Sequence, residues 1–144
     1  MKQVRGKQPK RILLVEDEPL LATMYMLALQ QRVKAEVYGA KTREEAERII
    51  ERVKPDLVLL DLMIPSITIQ DTEQDFHHPV GLQFLAQIRK SPKTRSIKVM
   101  ILSNLDADEQ RKRAIDLGAE DYLLKASLQP HAIVEKVKHS LGIK

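Results

Sequence analysis

The sequence predicts an α/β domain built on a parallel sheet, and three observations carry that reading. Short apolar runs alternate along the chain with amphipathic stretches of helical period. The runs are too short for helices and show no polar alternation, so they read as strands buried on both faces. Five runs and five helical stretches then require right-handed crossovers, which place helices on both sides of one sheet and all strand C-termini on one edge.

Each element has its own signals. The first strand is read at Arg11–Val15. The helix after it opens at Pro19, a residue suited to a first turn, and its predicted core stripe is Leu20, Met24, Leu27 and Ala28. The second strand is Glu36–Tyr38. Thr42 with Glu45 then forms a capping box, Ala46, Ile49, Ile50 and Val53 make the apolar face, and Pro55 ends that helix. Leu57–Leu60 is the third strand, and Leu82, Leu85 and Ile88 mark a helix that stops before Pro92. The fourth strand is Lys98–Leu102. Asp106 is the predicted N-cap of the next helix, Ala114, Ile115 and Leu117 its stripe, and Gly118 its stop. Tyr122–Leu124 is the last strand, and Ile133, Val134, Val137 and Leu141 mark the last helix. The segment Ser66–Pro79 breaks this rhythm: it is polar, has no clear period, and is predicted to overhang the edge reached by the third strand.

Composition narrows the class. A length of 144 residues fits one domain. Aromatics are only 3% of residues, so a core drawn from the 43% hydrophobic share must be aliphatic. The absence of cysteine excludes disulfides and thiolate metal sites and fits a reducing cytoplasm. The basic start is not followed by a signal-length apolar run, because Ile12–Val15 stops at Glu16, and no run reaches membrane-spanning length. A cytoplasmic protein with no membrane partner is expected. The net charge of +4 collects at Lys2, Arg5, Lys7, Lys10 and Arg11 and at Arg111, Lys112, Arg113 and the last helix. Stacking aromatics and a nucleic-acid motif are missing, so these charges read as solvated faces and direct nucleic-acid binding is not expected.

The chemistry lies at the strand ends. Glu16 and Asp17 follow the first strand, Asp61 the third, Ser103 the fourth and Lys125 the fifth. If the first and third strands are neighbours, three carboxylates converge, and their repulsion demands a compensating charge. A hard cation with oxygen ligands, Mg²⁺ above all, and the Lys125 ammonium are the expected compensators.

This ordered set resembles the receiver domain of bacterial response regulators. The matching stretches are Ile12–Pro19 (ILLVEDEP), Pro55–Pro65 (PDLVLLDLMIP), Ile101-Leu102-Ser103 and Gly118–Lys125 (GAEDYLLK). The resemblance implies a three-layer, doubly wound, flavodoxin-like fold with strand order 2-1-3-4-5. It divides the chain into a basic tail at 1–10 and a receiver domain at 11–144 with an inserted loop at about 66–79. It further implies that Asp61 is the phosphoacceptor and that Glu16, Asp17, Asp61 and the Met63 carbonyl hold Mg²⁺. Ser103 and Lys125 would contact the phosphoryl group, and Tyr122 would be the switch aromatic. The implied partners are a sensor histidine kinase or phosphotransfer protein and, with no output domain after Lys144, a downstream target in trans. The implied activity is that of a signalling switch, not of an enzyme with free substrates.

Four features depart from the family pattern. Glu16 stands where Asp is common. Ala126 replaces a proline after Lys125 and predicts a trans peptide there. Asn104 replaces a small residue after Ser103. The loop after Asp61 is longer than usual and contains Asp71, Glu73, Asp75, His77 and His78, which read as a solvated insertion or partner contact before a second metal site. Met63 and Leu105 are apolar and would position a hydrolytic water poorly, so a slow loss of phosphoryl is expected. A phosphorylation-independent adaptor of the same fold is the alternative reading. A phosphatase with an aspartate nucleophile is disfavoured because Met63 stands where that class carries a second acid.

Overall fold

Every run read as a strand forms one. The computed structural model describes residues 8–67 and 77–144. Its strands are β1 (Lys10–Val15), β2 (Ala35–Ala40), β3 (Leu57–Asp61), β4 (Lys98–Ser103) and β5 (Asp121–Leu124). They form one parallel sheet in the order β2-β1-β3-β4-β5. The helices are α1 (Pro19–Arg32), α2 (Arg43–Val53), α3 (Val80–Lys90), α4 (Asp108–Asp116) and α5 (Pro130–Leu141).

Strand alternation splits the core into two layers. Leu13, Val15, Val58, Leu60, Val99 and Ile101 pack with α2, α3 and Ala114 of α4. Ile12, Leu14, Leu57, Leu59, Met100 and Leu102 pack with Tyr25 and Leu29 of α1 and with Ile133, Val134 and Val137 of α5. Both faces of the sheet are thus covered, which is why the strands tolerate continuous apolar sequence.

Most helix boundaries follow their signals. The Thr42 hydroxyl accepts from the Glu45 N–H at 3.1 Å, while Glu45 reaches back to the Lys41 N–H at 3.4 Å, one residue before the position a capping box requires. Gly118 has φ of +94°, the left-handed geometry of a helix stop.

Two helices bury different faces from those predicted. In α1, Leu20, Met24 and Leu27 are exposed at 68%, 41% and 49%, and the buried pair is Tyr25 and Leu29. This helix is apolar almost all round, so its periodicity supports more than one stripe. In α4, Ile115 is 47% exposed, and Gln110 and Ala114 face the core. Asp106 is not the N-cap either. The helix starts after Ala107 with no side-chain cap, and Asp106 pairs with Arg111 at 3.8 Å.

The basic tail lies outside the described residues except for its last three, and Lys10 already belongs to β1. Asp71, Glu73 and Asp75 of the insertion also lie outside them. Both feet of the insertion are anchored. Glu44 of α2 accepts from the Ser66 hydroxyl at 2.5 Å and the Ile67 N–H at 2.9 Å, and the Arg43 N–H donates to Pro65 O at 3.0 Å. At the other foot Arg113 of α4 donates to His77 O.

Gly81 fixes how closely α3 approaches the sheet edge. A Cβ there would lie 2.5 Å from Asp61 O and 2.6 Å from Leu62 O, both backbone atoms. Gly81→Ala is therefore expected to destabilise the fold by about 1–3 kcal/mol, read as a lower urea midpoint at unchanged slope.

Candidate functional site

The backbone ladder continues past the strand ends and carries the chemical residues with it. Val15 is in register with Leu60, which sets Glu16 beside Asp61. The Glu16 N–H donates to Ala40 O at 3.0 Å, the Leu62 N–H to Leu102 O at 2.9 Å and the Lys125 N–H to Ser103 O at 2.8 Å. Acid, hydroxyl and lysine therefore stand on hydrogen-bonded backbone at the sheet edge.

Glu16, Asp17 and Asp61 converge as expected, each offering an oxygen within 4.8 Å of the others. Glu16 and Asp61 are buried, whereas Asp17 is exposed at the rim. Lys125 reaches into the cluster, with its ammonium 2.5 Å from Glu16 Oε1 and 3.3 Å from Asp61 Oδ2. The second Asp61 oxygen accepts from the Met63 N–H at 3.3 Å, and Glu16 Oε2 accepts from the Glu18 N–H at 3.3 Å. The extra methylene of Glu16 is thus used to meet Lys125. No described peptide bond is cis, in keeping with Ala126 after Lys125.

The electrostatics follow from this crowding. Burial raises the Asp61 carboxyl to about 7; Lys125 opposes the rise and Glu16 adds to it. Burial alone would lower the Lys125 ammonium, but Asp61 and Glu16 reverse that and hold it above the ordinary lysine value. Three hard carboxylate donors around a site short of positive charge suit Mg²⁺, which takes oxygen ligands and keeps several waters. Among the described residues this is the one cluster of acids and histidines able to hold a metal.

Ser103 and Tyr122 form a second set behind the acids. Ser103 Oγ accepts from the Leu105 N–H at 2.9 Å. The Tyr122 hydroxyl donates to Leu105 O at 2.7 Å and lies 3.0 Å from Ser103 Oγ. Tyr122 is only 3% exposed. Met63 and Leu105 are half-buried against the core layer on that side, and Asn104 is exposed.

Two contacts escaped sequence reasoning. One is the Glu16–Lys125 pair, since spacing alone does not say which acid a lysine reaches. The other is Arg111, whose guanidinium lies 4.9 Å from the centroid of the Tyr122 ring. It reads in sequence as one of three cations in a solvated run, and only the packing of α4 on β5 singles it out.

Comparison with known proteins agrees with this geometry. Residues 12–138 match the response regulator receiver domain family. The phosphate regulon transcriptional regulatory protein PhoB of Escherichia coli K12 is 31% identical over 133 residues, covering 90% of this chain and 50% of PhoB. The chain thus spans about half the length of that relative. The BeF3-activated N-terminal receiver domain of Klebsiella pneumoniae RstA is similar at 28% identity and a TM-score of 0.73, covering 92% of this chain and 98% of that one. The phosphorylated cyanobacterial phytochrome response regulator RcpA is similar at 27% identity and a TM-score of 0.74, covering 92% and 93%. The sheet order, the strand-end chemistry and the family match agree, and the chain belongs to the response regulator receiver domains.

Proposed function

We propose that this domain is a phospho-accepting switch in which Asp61 takes a phosphoryl group from a sensor histidine kinase or phosphotransfer protein. The observation that carries the reading is the buried Asp61 carboxylate, held between Lys125 and the Glu16–Asp17 pair at the sheet edge. Its likeness to a phosphorylated response regulator supports it.

The step is a group transfer. An Asp61 oxygen forms a bond to phosphorus while the P–N bond to the donor imidazole breaks, and the nitrogen keeps the electron pair. Glu16, Asp17, Asp61 and the Met63 carbonyl would hold Mg²⁺. When bound, that ion supplies positive charge to the phosphoryl oxygens. Lys125 is close enough to Asp61 to follow the charge from carboxylate to acyl phosphate. Ser103 accepts from the Leu105 N–H, and its hydroxyl, 3.5 Å from Leu105 O, would turn its hydrogen from that carbonyl toward a phosphoryl oxygen. The readout is a changed surface on α4, β5 and α5, recognised by a target protein in trans. The transcriptional role in PhoB's name belongs to a protein twice as long.

A second reading is a phosphorylation-independent adaptor. It is favoured by Tyr122, whose ring and hydroxyl are held by Arg111, Leu105 and Ser103, outside the acid cluster.

Incubation with acetyl phosphate and Mg²⁺ is expected to add one phosphoryl group by intact mass, and Asp61→Asn to abolish it; no addition at any donor concentration supports the adaptor. Self-dephosphorylation is expected to be slow, since Met63 and Leu105 offer no polar atom from their side chains to orient water; a phosphorylated lifetime of seconds in Mg²⁺ contradicts this. Protons compete with the ion for Asp61. With that carboxyl raised to about 7, ionisation is nearly complete at pH 8 and mostly reversed at pH 6. The apparent Mg²⁺ affinity is then expected to be roughly tenfold weaker at pH 6 than at pH 8. Calorimetric titration at both values checks this, and Asp61→Asn should flatten the dependence.

A further inference from the structure

The Tyr122 side chain is held from two sides. Its hydroxyl is fastened inside, on Leu105 O and beside Ser103 Oγ. From the solvent side the Arg111 guanidinium lies over its ring. Arg111 is itself oriented by two further contacts. One NH₂ group donates to the backbone carbonyl of Tyr122 at 3.2 Å, and the other pairs with Asp106 at 3.8 Å. A flat guanidinium can stack on a ring and keep its in-plane donors engaged, which an ammonium cannot do. The half-buried Arg111 therefore joins α4, the loop after β4 and the backbone of β5 around one aromatic ring. All these contacts lie outside the acid cluster.

We propose that Arg111 is a positioning residue for Tyr122, holding the ring inward so that its rotamer is set by α4 as well as by events at Asp61. The proposal rests on the phospho-switch reading for its regulatory meaning, but its readout requires no phosphoryl donor. Arg111 raises the inward population, so that the target-facing surface is partly pre-set. Phosphorylation then has less of an equilibrium left to shift.

Nitration by tetranitromethane, mapped by peptide mass, measures ring accessibility, with half-buried Tyr38 and buried Tyr25 as internal references. In the native chain Tyr122 should be protected. In Arg111→Ala it should react faster by about three- to thirtyfold, the range a ring–cation contact can contribute, with Tyr25 and Tyr38 unchanged. Arg111→Lys keeps the charge without the planar fork and should lie between. In ring-labelled protein, beryllofluoride with Mg²⁺ should move the Tyr122 resonance more in Arg111→Ala than in the native chain. Equal Tyr122 nitration in native and Arg111→Ala protein overturns the proposal, as does an equal beryllofluoride response in protein that acetyl phosphate does phosphorylate. If Tyr25 also becomes reactive in Arg111→Ala, that variant has loosened as a whole, and the Arg111→Lys rate decides in the same two directions. Failure of the phospho-switch reading shows separately, as absent mass addition with acetyl phosphate.

Discussion

Lys125 sits where three carboxylates would otherwise repel one another, and the active edge is organised around that imbalance. One ammonium touches both Glu16 and Asp61, and Asp17 remains at the rim. Burial makes the problem acute, because two of the acids have little water to spread their charge. A single lysine cannot neutralise three acids. The cluster therefore keeps an appetite for cations, and it keeps one carboxylate, Asp61, whose protonation is finely balanced. The same residues that make the site costly are the ones the proposed phosphoryl transfer would use.

Rigid backbone lets the fold sustain this cost. Ladder bonds run one residue past the strand ends at Glu16, Leu62 and Lys125, so the charged groups cannot relax apart by fraying. Gly81 brings α3 against the carbonyls of Asp61 and Leu62, with the Gly81 N–H donating to Leu62 O at 2.8 Å. Behind this edge lies a buried set of groups, Ser103, Leu105 and Tyr122, joined by shared hydrogen bonds. Under the phospho-switch reading, an edge fixed by backbone bonds with a hydrogen-bonded layer behind it would be the arrangement required.

The legible parts of the sequence were those governed by burial on both sides. Strands made of Leu, Ile and Val between turn residues have one reading, and acids or a lysine at their ends inherit a location from it. The legible site was accordingly a set of positions: Glu16, Asp17, Asp61, Ser103, Lys125 and Tyr122 all stand at one edge or directly behind it. What resisted reading was orientation. Leu20, Met24 and Leu27 have helical spacing, but so do Tyr25 and Leu29, and only the packed sheet chooses between them. Asp106 has the chemistry of a cap, but Arg111 competes for it. Glu16 has the chemistry of a metal ligand, and its length also lets it meet Lys125. These outcomes depend on side-chain reach across elements, which no local pattern encodes.

The anchoring of residues 66 and 67 to Glu44, and of residue 77 to Arg113, has an evolutionary consequence. Lengthening a flexible loop between fixed ends adds only about 0.6 kcal/mol of closure entropy per doubling. A change of length between the two clamps is therefore cheap in closure entropy. Receivers could in that way come to differ in the chain between these two feet while the sheet edge they frame keeps its place.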